Sequence, residues 1–175
     1  MSFQISTLVL VALVSVGASP PPSAVTKIVL PASRCQSQCA YRQAHLKRLD
    51  RLESFTFESK GCYGACPSYM VTFHSNGEAT INNIRFVPEL KQLNGEGTAN
   101  VPFAKVRALL ASSQFAKLAP EYPLHATDMW GVSLSWYYSD GFWYGVEAPD
   151  QTTWPNSLGS LVTAVMQLVR DTDWH

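Results

Sequence analysis

The residues best equipped for chemistry are four cysteines, Cys35, Cys39, Cys62 and Cys66, which form two C-x3-C pairs. An even cysteine count suits disulfides in an oxidising compartment. A zinc site prefers C-x2-C spacing and a reducing compartment, so no metal and no other cofactor is expected. Cys62 and Cys66 carry a second reading. A short loop containing glycine can hold a strained, accessible disulfide that exchanges with other thiols. Thiol–disulfide enzymes, however, place C-x-x-C at a helix start, where the helix N-terminus lowers the thiol pKa. Here the spacing is one residue longer, Pro67 follows, and the next segment reads as a strand. A structural staple is the expectation, and a redox disulfide the alternative.

Two further groups invite a role. His125 and Asp128 share the loop Pro120–Trp130, and their spacing permits an acid–base or metal pair. No third partner is visible, and Asp128 is expected to cap the turn into the hairpin that follows. A dense aromatic stretch runs from Trp130 to Trp154. Most of it reads as core, but Tyr137 and Trp143 fall on the polar face of their strands. They are the candidate ligand-binding residues, able to stack a sugar, a peptide or a base. The chain has no G-x-S-x-G, P-loop, H-E-x-x-H or G-x-G-x-x-G. No catalytic residue is assigned, and the reading leans away from an enzyme.

These side chains must be positioned by short strands and helices. Tyr69–His74 and Glu78–Asn82 flank Ser75-Asn76-Gly77, and Val132–Tyr138 and Phe142–Ala148 flank Ser139-Asp140-Gly141. In each hairpin a three-residue loop, with its glycine left-handed, collects the apolar residues on one face. That register puts Val71 opposite Ile81 and Phe73 opposite Ala79. In the second hairpin it buries Trp136 and exposes Trp143. Phe55–Ser59 alternates as a further strand, and Lys60–Pro67 is a loop. A helix from Pro102, capped by Asn100, carries Phe103, Val106, Leu109 and Leu110 on one stripe, continued by Phe115 and Leu118. A last helix spans Ser157–Arg170, capped by Asn156 or Ser157. An N-terminal helix over Arg34–Glu53 is predicted from Tyr41, His45, Leu49 and Leu52. Cys35 and Cys39 would then stand at i and i+4, with Cβ atoms ~5–6 Å apart, against the ~3.8 Å of a disulfide. Either the helix starts after Cys39 or these cysteines have other partners. The order of strands and helices predicts an α+β fold, with an antiparallel sheet built from two hairpins and helices packed on one face.

The first 18 residues read as a signal peptide. Thr7–Val16 is apolar, Val16-Gly17-Ala18 is a small-residue cleavage pattern, and Pro20 to Pro22 stop any helix. The rival is an uncleaved anchor, but the run is shorter than the ~20 residues of a spanning helix. No cysteine follows it directly, which argues against a lipid-anchored lipoprotein. The expected organisation is a signal peptide at 1–18, a Pro/Ser/Ala linker at 19–33 and a single domain at 34–175. After cleavage no membrane span is expected. Hydrophobic residues are 46% of the chain and charged ones 15%, too apolar for disorder. Lys+Arg and Asp+Glu balance at 13 each, so no nucleic-acid partner drawn by a basic surface is expected.

The stretch Gly61-Cys62-Tyr63-Gly64-Ala65-Cys66-Pro67-Ser68-Tyr69, followed by a strand and Asn76-Gly77-Glu78, resembles a bacterial family of exported proteins, domain-of-unknown-function family 6438. Its hallmark is C-[FY]-G-x-C-P-x-Y ahead of a hairpin with glycine in the turn. The resemblance runs from about Phe55 to Asp171 and leaves out Cys35 and Cys39. It implies a periplasmic or secreted protein and a self-contained Cys62–Cys66 bond, which Gly64 would allow to close, and it carries no activity. Cys35 and Cys39 would then pair with each other. Crossed bonds that tie the N-terminal helix to the motif loop are the competing arrangement. The function expected is a disulfide-stapled, non-enzymatic binding or structural module of the cell envelope, with an envelope protein or a polysaccharide as partner. The alternative is a thiol–disulfide redox protein using Cys62 and Cys66.

Overall fold

The computed structural model describes residues 40–175. The expected signal peptide at 1–18, the linker at 19–33, Cys35, Cys39 and the start of the helix expected from Arg34 lie outside the described residues. Within them, a helix at 40–46 (α1) leads into strands β1 (Leu52–Gly61), β2 (Ser68–His74), β3 (Glu78–Arg85) and β4 (Glu96–Asn100). Helix α2 (Phe103–Ser112), strands β5 (Gly131–Tyr138) and β6 (Trp143–Ala148) and helix α3 (Asn156–Arg170) follow. The six strands form one antiparallel sheet in the order β4-β3-β2-β1-β5-β6. The fold is α+β, as the pattern of elements predicts.

Both hairpins adopt the register that buries their apolar face. Phe73 lies opposite Ala79 and Val71 opposite Ile81; Trp136 lies opposite Tyr144 and Leu134 opposite Val146. Each turn ends on a glycine at positive φ, Gly77 at 92° and Gly141 at 80°. On the inner face one register row crosses four strands as Phe73, Phe55, Trp136 and Tyr144, with ring centroids 5.6–6.3 Å apart. Phe115 packs on Trp136 at 5.4 Å. Val106 and Leu110 of α2 and Leu158, Leu161 and Val165 of α3 complete the same core. The helical layer therefore covers one face of the sheet.

Four local expectations are corrected. The N-terminal helix does not reach Glu53: it stops at residue 46, a 3-10 turn spans Leu49–Arg51, and Leu52 opens β1. Leu46 and Leu52 are both buried, but a strand residue, not a helical repeat, delivers the second. Asn100 does not cap α2. It ends β4 opposite Glu78, and α2 starts after Pro102 with no side-chain cap. Asn156 is the first residue of α3, which likewise has no side-chain cap. Finally, Asn94-Gly95-Glu96-Gly97 reads in the sequence as a flexible turn, but Glu96 and Gly97 already belong to the strand β4, which pairs with β3.

Both sheet edges are engaged. The backbone of His175 pairs with Thr98 of β4 in both directions, at 2.8 and 3.0 Å, and residues 120–122 run along β6. Bare edge strands recruit other strands, and these two are occupied along part of their length. No helix among the described residues is long and apolar enough to cross a membrane.

Candidate functional site

Among the described residues no helix packs on the outer face of the sheet. Alternation along the strands sends Thr98, Thr80, Thr72, Thr56, Ser135 and Gly145 into one row across all six strands, with Thr56 and Thr72 hydroxyls 3.0 Å apart. The next row holds Asn82, Met70, Glu58, Ser133 and Glu147. None of these residues is buried. Between them lies a groove of about 430 Å³, floored by Thr56, Glu58, Ser133 and Ser135 and walled by Trp143, Met70 and Pro120. The volume is within the range of small-ligand clefts.

The indole of Trp143 is held over the groove by a gap in the sequence of side chains. Its far edge overlies Gly145, where a Cβ would stand 2.7 Å from Cη2 and 2.9 Å from Cζ2. Only glycine admits the ring there. Trp143 is 63% exposed, although its strand neighbours Tyr144 and Val146 are core. On the floor, the Ser133 hydroxyl donates to Glu58 Oε2 at 2.7 Å, and Lys60 pairs with Glu147 at the rim. The site offers carboxylate and hydroxyl acceptors beside one aromatic wall.

Pro120 is fixed by the edge of β6. The Glu147 N–H donates to the Pro120 carbonyl at 2.9 Å, and the Tyr122 N–H donates to the Glu147 carbonyl at 2.8 Å. The loop that follows is anchored by a residue that sequence reasoning missed. Asp150 is fully buried and accepts from the Thr152 hydroxyl at 2.6 Å, the Thr152 N–H at 2.9 Å and the His125 N–H at 3.2 Å. The Thr152 hydroxyl foremost, then the backbone N–H groups of Thr152, His125 and Ala126, hold its carboxyl below the usual carboxylate range against the cost of burial. The available signal was Asp150-Gln151-Thr152, an Asx-turn pattern.

The structure gives His125 and Asp128 no joint site. Both side chains are exposed, His125 contributes its backbone N–H to the Asp150 carboxylate, and Asp128 caps no turn among the described residues. Among the described residues no group of three or more His, Cys, Asp or Glu is placed to hold a metal ion. Tyr137 and Trp143 are direct cross-strand neighbours on the outer face, 45% and 63% exposed. The Trp143 ring lies over Gly145, in the groove, and Tyr137 does not line it.

At the end of the β1–β2 hairpin Cys62 and Cys66 form a disulfide, with Cα atoms 5.4 Å apart. The loop is braced from beneath. Buried Ser59 donates from its hydroxyl to the Pro67 carbonyl and accepts from the Trp130 indole N–H at 2.8 Å. Trp130 in turn packs on Trp154, 5.2 Å between centroids. Tyr69, the last residue of the motif, is core, and burial pushes its hydroxyl well above the ordinary tyrosine range. The loop tip faces solvent, with Tyr63 91% exposed.

Fold and site together define an α+β domain with a stapled hairpin and a sheet whose outer face no described helix covers. The family model described as Domain of unknown function (DUF6438) matches residues 53–169, and the chain belongs to that family. No curated protein and no solved structure matches the chain.

Proposed function

We propose that this chain is an exported binding module of the cell envelope, periplasmic or secreted, which performs no catalysis and holds an envelope protein or polysaccharide on the outer face of its sheet. The observation that carries this reading is the groove itself. An exposed tryptophan is kept over it by a glycine two residues on, and among the described residues no helix packs on the sheet face around it, while the opposite face is packed as core. Large exposed aromatics beside polar residues mark interaction surfaces. The Cys62–Cys66 bond supports an oxidising compartment, and its bracing by Ser59 and Trp130 supports a staple. The next element is a strand, so no helix N-terminus is there to activate a thiol.

Co-sedimentation of the purified chain with isolated cell envelope tests the reading. Ser135→Arg, which projects a long side chain from the middle of the outer face, should abolish retention. Thr163→Glu, on the exposed side of α3, should leave it unchanged. Equal loss in both variants, or no effect of Ser135→Arg, would contradict the assignment of the face. A Cys62–Cys66 reduction potential well above about −300 mV would instead favour the redox alternative.

A further inference from the structure

We infer that the occupant of the outer-face groove is a neutral glycan chain, with one pyranose ring stacked against Trp143 and its hydroxyls bound by Glu58, Ser133 and Ser135. This rests on the reading of the outer face as a binding face and specifies its ligand. Three observations favour a sugar. First, the groove pairs one apolar wall with acceptors. The apolar C–H face of a pyranose suits an indole, and its ring of O–H donors suits carboxylates and serine hydroxyls. Glu58 has one oxygen engaged by Ser133 and the other without a hydrogen-bond partner among the described residues. Hydrogen bonds to an ionised acceptor are the stronger kind.

Second, charge selects against the alternatives. The groove contains the carboxylates Glu58 and Glu147, no cationic side chain lines it among the described residues, and Lys60 at its rim is already paired with Glu147. A phosphorylated, uronic or nucleic-acid chain would meet unpaired negative charge. Third, a protein strand gains affinity from main-chain hydrogen bonds along a free edge. Here the backbone of His175 occupies Thr98 of β4 and residues 120–122 occupy β6, while the groove runs over the outer face of β2, β1, β5 and β6, where it is lined by side chains. The Trp143 ring is also preset. Gly145 leaves it a fixed seat, so little ordering cost falls on binding.

The test is calorimetric titration of the folded chain with cellohexaose, with the hexamer of N-acetylglucosamine and with oligogalacturonate. The inference expects binding of at least one of the two neutral chains and none of the oligogalacturonate. It expects affinity to fall about tenfold or more, the equivalent of ~1.4 kcal/mol, in Trp143→Ala and in Gly145→Val. Gly145→Val keeps the indole but drives it from its seat, and valine is favoured in a strand, so its fold is preserved and shown by an unchanged melting temperature. Glu58→Gln should weaken binding while Tyr137→Ala leaves it intact. Preference for oligogalacturonate, absence of binding to both neutral chains, or neutral-chain binding indifferent to both Trp143→Ala and Gly145→Val would overturn the inference. If the neutral chains fail while Ser135→Arg still abolishes envelope retention, the glycan is wrong and the binding face stands. If both fail, the face itself is wrong.

Discussion

Single residues carry unequal weight in this domain, and Asp150 is the clearest case. Its carboxylate is buried and collects donors from Thr152, His125 and Ala126, so it orders the loop that begins at the groove wall. Because its native pKa lies below its unfolded value of about 3.9, the unfolded chain takes up the proton more readily. Its contribution to stability is present in full above that unfolded value and is lost as pH falls through the depressed native one. Asp140 adds to the same trend, held low mainly by the Phe142 N–H, with help from His45 and Arg51. Asp150→Asn is expected to lower the melting temperature at pH 7 and to flatten the acid limb. Urea unfolding measured between about pH 7 and pH 2.5 should show a smaller loss on acidification than in the parent chain. An unchanged acid limb would show that the carboxylate is not tuned as described.

At the scale of elements, the turns decide the sheet. Gly77 and Gly141 hold positive φ in matching three-residue loops, but their surroundings differ. A Cβ on Gly141 meets nothing within 4 Å, whereas one on Gly77 would lie 3.1 Å from Asn100 Oδ1. Gly141→Ala is expected to cost about 1–2 kcal/mol, the backbone term alone, and Gly77→Ala more. Chemical denaturation of the two variants checks the order, and a costlier Gly141→Ala would reverse the argument. These turns were legible in the sequence because alternation on both sides admits one register. β4 was not, because Glu96-Gly97-Thr98-Ala99-Asn100 buries only Ala99 and becomes a strand by pairing with β3. The helix expected to reach Glu53 failed for a related reason. Leu46, Leu49 and Leu52 are spaced as on a helix, and the chain buries Leu46 and Leu52 from a helix and a strand instead. The groove was half legible. Trp143 is visible from the alternation of β6. Its partners Glu58, Met70 and Ser133 come from strands brought together by placing β1 between β2 and β5, an order that local patterns do not encode.

For the molecule as a whole, stability rests on one continuous core beneath the sheet, and the disulfide is a local addition. The bond joins residues four apart in sequence. In the chain-entropy model so short a loop contributes about 2 kcal/mol. Replacing both cysteines, Cys62→Ser with Cys66→Ser, is expected to lower the unfolding free energy by about that amount, with the denaturant slope unchanged and the sheet intact by circular dichroism. Collapse of the fold would mean that the staple, and not the aromatic row from Phe73 to Tyr144, holds the domain together.

Among the described residues no helix covers the outer face, and the central claim is that this face, at its groove, is where the partner sits. The most direct measurement is photo-crosslinking in the native compartment, with a benzophenone side chain in place of the exposed Tyr137, the cross-strand neighbour of Trp143 outside the groove, and, separately, in place of Thr163 on α3. The account predicts a discrete adduct from position 137 that disappears when Trp143→Ala is added, and none from position 163. An adduct from position 163 alone, or one at position 137 that persists undiminished without Trp143, would contradict it.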